Sequence, residues 1–281
     1  MVITLLTDFG HGDEYVGVMK GVILSILPSA RIVDLSHEIE PWDITSAAYM
    51  ISAAYPYFPE RSIHVVVVDP GVGSSRELLA VSSGGHFFIG PDNGVLTQII
   101  NSRSFDRACQ IKNSNYYRST VSHTFHGRDI LAPVAAHIAS GVDIDRLGPA
   151  IGPADLVHIP IRQPEILQNG SMEGYVITSD RFGNLITNIS EDHLLSQFPQ
   201  MTWPCLEIMI GKKRIRGINN NYSQVPRKNL VAVVGGRRFL EISVNCGNAA
   251  ELMKYKKGRS CFWVQCHLPD KYILKRHRLS K

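Results

Sequence analysis

Nowhere in the 281 residues does an apolar run approach the roughly 18 that a membrane helix needs; the runs stop at lengths like VVVV, Val65 to Val68. An integral membrane protein is excluded on that ground. Cysteine is scarce and odd in number, with Cys109, Cys205, Cys246, Cys261 and Cys266 scattered and no CxxC pair among them. That excludes a disulfide framework and predicts reduced thiols of a cytoplasmic protein. Cys261, Cys266 and His267 have a spacing unlike common structural zinc sites. The opening VITLLTDFG lacks a basic n-region and a small-residue cleavage site, so no secretory leader is predicted. A Walker phosphate loop is missing, and the Gly-x-Gly after SIHVVVVDP lacks the third glycine and the helix of a dinucleotide fingerprint. There is no HxxEH, HxH or regular Asp pair either, although Asp8, Asp13, Asp69, Asp92, His126 and Asp129 could supply metal ligands. We expect no metal and no organic cofactor. A formal net charge of +4, part of it in the tail Lys271 to Lys281, comes without any aromatic-basic platform. The tail reads as a solvated end, and no nucleic-acid partner is expected.

What is present is the composition of a globular protein, 44% hydrophobic and 19% charged, at a length that suggests two domains. The first half alternates strands with helices. VITLLTD, ARIVDLS and SIHVVVVDP read as strands, while Tyr15 to Leu27, Ile44 to Tyr55 and Ile130 to Ser140 read as helices. LLAVSS and HFFIGPDNG form two further strands or a hairpin around Gly84 and Gly85. This predicts an α/β domain over residues 1–160, a mostly parallel sheet with flanking helices. IPIRQPEILQNGS, between His158 and Ser171, carries two prolines and no period and marks the boundary. Beyond it, MEGYVITSD, NLITNIS, CLEIMIG, LVAVVGG, RFLEISV and CFWVQC predict a smaller all-β barrel over residues 171–270.

Ligands of open parallel sheets sit beyond the carboxyl ends of the strands, and polar clusters gather there: TDFG from Thr7, DPGVGSSR from Asp69, GPDNG from Gly90, and TFHGRD from Thr124 ahead of a helix. Any one of these could merely make a turn or cap a helix. Together they bring Asp8, Asp69, Arg76, Asp92, Asn93, His126, Arg128 and Asp129 to one edge, which is a site hypothesis.

These clusters, with DEYVGVMKG and APVAA, then DRFGN at Asp180 to Asn184 and LEISVNCGNAA at Leu240 to Ala250, resemble the S-adenosylmethionine hydroxide adenosyltransferases, relatives of the fluorinases and chlorinases. The resemblance runs through both predicted domains. It implies cleavage of S-adenosylmethionine by water attacking the ribose C5′, releasing adenosine and methionine. It also implies a homotrimer with each site shared between subunits. An Asp, Arg and His trio separates the hydrolases from the halogenases, and Asp69, Arg76 and His126 stand in the matching places. By the same carry-over Asp8 holds the ribose hydroxyls and Trp42 flanks the sugar and methionine chain. Asp180 meets the methionine ammonium, while Phe182, Asn184 and the backbone near Cys246 surround adenine. Where the family has Ser-x-Gly before Leu-Glu, this chain has Gly236, Arg237 and Arg238, and Arg237 could serve the methionine carboxylate.

The chemistry suits these residues. A sulfonium already makes methionine a good leaving group, so the difficulty lies in water, which must be held in line and lose a proton. Arg76 can stabilise developing hydroxide character, and Asp69 or His126 can take the proton. Sequence alone leaves that base open. It also leaves open a 5′-halogenase and a non-catalytic S-adenosylmethionine sensor, the latter needing Asp8, Asp180 and Asn184 but not the trio.

Overall fold

Seven strands make the first sheet in the computed structural model, which describes residues 1–255, 263–267 and 269. They are β1 (Val2–Thr7), β2 (Arg31–Ser36), β3 (Ile63–Val67), β4 (Leu78–Ser83), β5 (His86–Pro91), β6 (Phe105–Gln110) and β7 (Ala150–Ile151), in the order β2-β1-β3-β5-β4-β6-β7. The α/β reading holds, and the sheet is mixed: β2, β1, β3 and β5 run parallel, while β4, β6 and β7 add antiparallel pairs. The reversal comes from Gly84 and Gly85, both with positive φ. Such a two-residue turn matches strand twist and returns the chain beside itself without a crossover helix.

Helices α1 (Tyr15–Ile26), α2 (Ile44–Ala54), α3 (Thr97–Ile100) and α4 (Ala132–Ala139) cover the sheet. Strand side chains alternate between faces. Ile3, Leu5 and Val65 therefore pack with Met19 and Ile23 of α1 and Val134 and Ala135 of α4. Leu6, Val66 and Phe88 pack with Ala47 and Ile51 of α2 and Ile99 of α3 on the other side. Among these apolar side chains β3 also buries His64, whose Nδ1 lies 2.8 Å from Thr4 Oγ1 and whose Nε2 lies 3.2 Å from His86 Nδ1. Burial, with a smaller push from His86, lowers its pKa from the ordinary 6.5 to about 3. The unfolded chain therefore takes up this proton first, and stability falls as pH drops from 6.5 toward 3. The slope from this one group is about 1.4 kcal/mol per pH unit. Urea unfolding at stepped pH should show His64→Gln losing stability less steeply over that range; identical slopes would refute the assignment.

The chain divides after Pro160 into a second unit. Its strands are β8 (Glu165–Ile166), β9 (Met172–Ser179), β10 (Leu185–Ser190), β11 (Glu207–Ile210), β12 (Lys213–Arg216), β13 (Ile218–Asn219), β14 (Leu230–Val234), β15 (Phe239–Val244) and β16 (Trp263–His267). They form one sheet in the order β12-β11-β16-β9-β10-β15-β14-β13, with β8 on β9. The two end strands, β12 and β13, are joined by Gly217 alone, so the sheet curls round until its edges approach, a near-barrel. Gly217 has φ +77°, and a Cβ there would lie 2.8 Å from the Pro204 carbonyl oxygen. Leu185, Ile208, Ile210, Leu240, Ile242 and Val264 fill the interior. Among the described residues two short helices interrupt the strands, α5 (Glu191–Gln197) and α6 (Ala249–Leu252). The first is capped by Ser190, which accepts from His193 N–H. Cys261 and the basic tail from Lys271 lie outside the described residues. No helix among the described residues is long and apolar enough to cross a membrane.

Candidate active site

β1 and β3 run side by side with Thr7 opposite Val67. Asp8 and Asp69 therefore leave the sheet together at its carboxyl edge. The GPDNG cluster supports this edge. Asn93 Nδ2 donates to the Val68 carbonyl at 2.9 Å, fixing the backbone just ahead of Asp69. Asp92 Oδ1 accepts from Val157 N–H at 2.9 Å and so anchors the segment leading to the boundary.

The predicted trio is contiguous. Arg76 donates to Asp69 through Nε, at 2.8 Å from Oδ2 and 3.1 Å from Oδ1, and through Nη2 at 2.5 Å from Oδ2. Both side chains are buried, 10% and 6% exposed. Arg76 Nη2 also lies 2.9 Å from His126 Nδ1. A guanidinium has no acceptor, so Nδ1 carries the lone pair and the imidazole is neutral with its proton on Nε2. Burial and the Arg76 charge lower the His126 pKa, against opposing fields from Asp69 and Asp129. The turn carrying Asp69 and Arg76 needs its glycines. Gly73 has φ +78°, and a Cβ there would run into the His123 carbonyl oxygen. Its bareness lets the segment before His126 lie on the turn. His126 itself stands at the start of a π-helical turn, Gly127–Leu131, in which Ala132 N–H reaches the Gly127 carbonyl. Such insertions recur at functional sites.

Asp8, Asp69 and His126 face a cavity of about 270 Å³ whose walls are aromatic: Phe9, Tyr15, Trp42 and Phe125. Arg76 is not among the lining residues; it sits behind and bridges Asp69 to His126. Burial raises the Asp8 pKa, the Trp42 N–H opposes the rise, and the Asp69 charge adds to it. That N–H donates to Asp8 Oδ2 at 2.9 Å and holds Trp42, a residue 70% exposed, at φ +68°. A bulky residue in the left-handed region is strained and persists only where neighbours impose it. Three of the wall residues, Phe9, Tyr15 and Phe125, were not singled out in the sequence. Their ring centroids lie 5.3 to 5.9 Å apart. The only signal was adjacency, since Phe9 follows Asp8 and Phe125 precedes His126.

The remaining predicted residues lie in the second unit. Asp180 closes its own turn: Oδ1 accepts from Phe182 N–H and Asn184 N–H, each at 2.9 Å, and Oδ2 accepts from Asn184 Nδ2 at 2.8 Å. Phe182, at the tip, is 75% exposed. Gly183 abuts Asn248, and its carbonyl accepts from Ala250 N–H at 2.9 Å. The DRFGN turn and the turn bearing Cys246, whose φ is +52°, are therefore neighbours. Arg237 lies between β14 and β15, beside Arg238, which is committed to Glu191 and Asp192.

Among the described residues no three His, Cys, Asp or Glu side chains converge as metal ligands. Of the acids considered, Asp69 is engaged by Arg76 and Asp129 by Arg118 and Arg128.

A sheet edge carrying a carboxylate, guanidinium and imidazole beside an aromatic cavity, followed by a β unit, is the architecture of a two-domain α/β enzyme. Residues 3–148 match the model of the SAM hydroxide adenosyltransferase N-terminal domain, and residues 174–261 match its C-terminal domain. The (R)-S-adenosyl-L-methionine hydrolase of Methanocaldococcus jannaschii is 35% identical over 262 residues, 90% of this chain and 91% of that protein. An Actinoplanes fluorinase is 27% identical over 217 residues, 69% of this chain and 73% of its own. A crystal structure of an uncharacterized conserved protein from Thermotoga maritima superposes with a TM-score of 0.85 at 33% identity, covering 95% of this chain and 99% of that one. The chain belongs to the SAM hydroxide adenosyltransferase family.

Proposed function

We propose that this protein hydrolyses S-adenosyl-L-methionine to adenosine and L-methionine. The observation that carries this reading is the cavity, where two carboxylates, Asp8 and Asp69, stand among four aromatic rings with His126 at the edge. Such a site favours a cation with apolar surface, and a sulfonium-bearing nucleoside has both. Water attacks C5′, the new carbon–oxygen bond forms as the carbon–sulfur bond breaks, and the electron pair leaves with sulfur as the neutral thioether. The attacking oxygen becomes strongly acidic as it bonds to carbon, so an ionised carboxylate suffices to take its proton. Asp69 is that acceptor. The His126 Nδ1 lone pair is occupied by Arg76, which leaves Nε2–H to donate to the water oxygen and hold it in line. Arg76 holds the Asp69 carboxylate by two of its nitrogens and keeps the imidazole neutral from behind. Partial neutralisation of charge in the transition state makes a dry aromatic site an advantage.

In the same reading Asp8 accepts the ribose hydroxyls and Trp42 walls the sugar. Asp180 meets the ammonium, Arg237 the carboxylate, and Phe182, Asn184 and the backbone at Cys246 surround adenine. The working form is a homotrimer in which the exposed rings of Trp42 and Phe182 become covered. The compartment is the cytoplasm, in keeping with the free thiols of Cys109, Cys205, Cys246 and Cys266.

Incubation with S-adenosylmethionine in ¹⁸O water, with excess chelator, should yield adenosine labelled at its 5′ oxygen together with methionine. Sedimentation of the same sample should give three chains per particle. No adenosine, a 5′-halogenated nucleoside when halide is present, or activity lost to chelation and restored by a divalent ion would overturn the hydrolytic reading. A monomeric active species would overturn the trimer.

A further inference from the structure

Asp129 is a carboxylate with no exposure at all, inside the π-helical turn that follows His126. It is absent from the cavity lining, so the hydrolytic scheme gives it no task. Its oxygens are saturated. Oδ1 accepts from Arg118 Nη1 at 3.1 Å and Arg128 Nε at 2.7 Å, while Oδ2 accepts from Arg128 Nη2 at 2.8 Å and Ser122 N–H at 2.9 Å. Its backbone carbonyl takes a further bond from Arg118 N–H at 3.0 Å. The segment from Arg118 to Phe125 is thus stitched at Arg118 and Ser122 to one buried side chain. Between those stitches and His126, the His123 carbonyl presses on Gly73 of the Asp69–Arg76 turn.

Burying a carboxylate between two guanidinium groups is a poor route to stability, because the desolvation cost offsets the attraction and an apolar side chain would fill the same space. What the carboxylate adds is direction. It holds one backbone point, the Ser122 N–H, and one side chain, the Arg118 guanidinium, of a segment that ends on the imidazole. Resting on the hydrolytic reading above, we propose that Asp129 is a positioning residue for the reaction: by clamping the Arg118–Phe125 segment it sets the His126 ring on the Arg76 guanidinium in the orientation that aims Nε2–H at the water. Misplacement of such a group by about 1 Å costs on the order of 10²-fold in rate.

The charges facing His126 are Arg76, Asp69, Asp129 and His123, and of these Asp69 and Asp129 favour its protonated form. Asp129→Asn keeps the shape of the side chain and removes the charge and part of the acceptor set. It should lower kcat by about 10- to 100-fold with KM within about twofold of wild type. The His126 titration midpoint, followed by NMR on histidine-labelled protein with His126→Gln used for assignment, should move to lower pH. Arg118→Gln, at a half-exposed side chain, loosens one stitch without changing Asp129. It should give a several-fold loss of kcat in the same direction and a broadened His126 signal. A folded Asp129→Asn protein with kcat within twofold of wild type and an unmoved His126 midpoint would overturn the proposal. If Asp129→Asn does not fold, a fully active Arg118→Gln protein with a sharp, unshifted His126 signal would overturn it. Should wild-type protein fail to cleave S-adenosylmethionine, the hydrolytic reading falls, and the His126 signals of the variants still report whether Asp129 positions the ring.

Discussion

Alanine at Asp69, Arg76 or His126 is expected to lower kcat for S-adenosylmethionine cleavage by about 10²-fold or more while substrate affinity stays near wild type. The magnitude is that of losing an acid–base group or a preorganised donor. The split between kcat and affinity follows from their proposed target, a water whose charge develops only in the transition state. Arg76 is the informative position, because one guanidinium contacts both other members. Its removal leaves the Asp69 carboxylate buried without its cation, a loss of roughly 3–5 kcal/mol in stability when one partner of a buried pair is deleted. It also frees His126 Nδ1, so both side chains proposed to act on the water lose their partner at once. Arg76→Ala combined with His126→Ala should be only slightly worse than the poorer single variant, as groups that prepare one nucleophile fail together. Calorimetric titration with single-turnover kinetics separates the possibilities. Near wild-type rates, or binding lost in proportion to activity, would remove the trio from the hydroxide-generating role.

Gly73→Ala should be nearly as damaging although no reacting group is touched. At φ +78° the new methyl meets the His123 carbonyl oxygen, a backbone atom that cannot rotate away. The segment before His126 must lift, and the ring at its end moves off Arg76. We expect at least a tenfold loss of kcat, with a stability loss of about 1–2 kcal/mol from the left-handed backbone alone. Gly141→Ala is the control, since its φ is +103° and, its chain neighbours aside, no heavy atom lies within 4 Å of the added methyl. It should lose stability and keep kcat. Equal kcat in the two variants would show that contact between turn and segment is not what places His126.

Much of the architecture was legible because it is local. The apolar run of β3, the glycine pair at Gly84 and Gly85, and the change from alternating strands and helices to strands alone all act within a few residues of themselves. β6 and α5 were not legible. FDRACQ exposes Asp106 and Arg107 and is a strand only because β4 and β7 pair with it. EDHLLSQ is too short for a helical period and is helical through its Ser190 and His193 cap. The mixed sheet escaped for a related reason, as a hairpin and a pair of unpaired strands look alike until a neighbour is present.

By itself the sequence determined the two-part texture of the chain, the strand ends at which ligands collect, and the residue types assembled there. Tertiary structure decided which of those residues face the cavity. Asp8, Asp69, Asp92 and Asp129 are the same kind of residue in motifs of similar look. Yet Asp92 is used by Val157 N–H and Asp129 by Arg118 and Ser122, whereas Asp8 and Asp69 reach the cavity. A carboxylate's role is set by the donors that reach it and by its access to water. For Asp69 those donors and neighbours include Arg76 and, through it, His126, which lies 50 positions beyond Arg76 in the chain, an arrangement that no local pattern encodes.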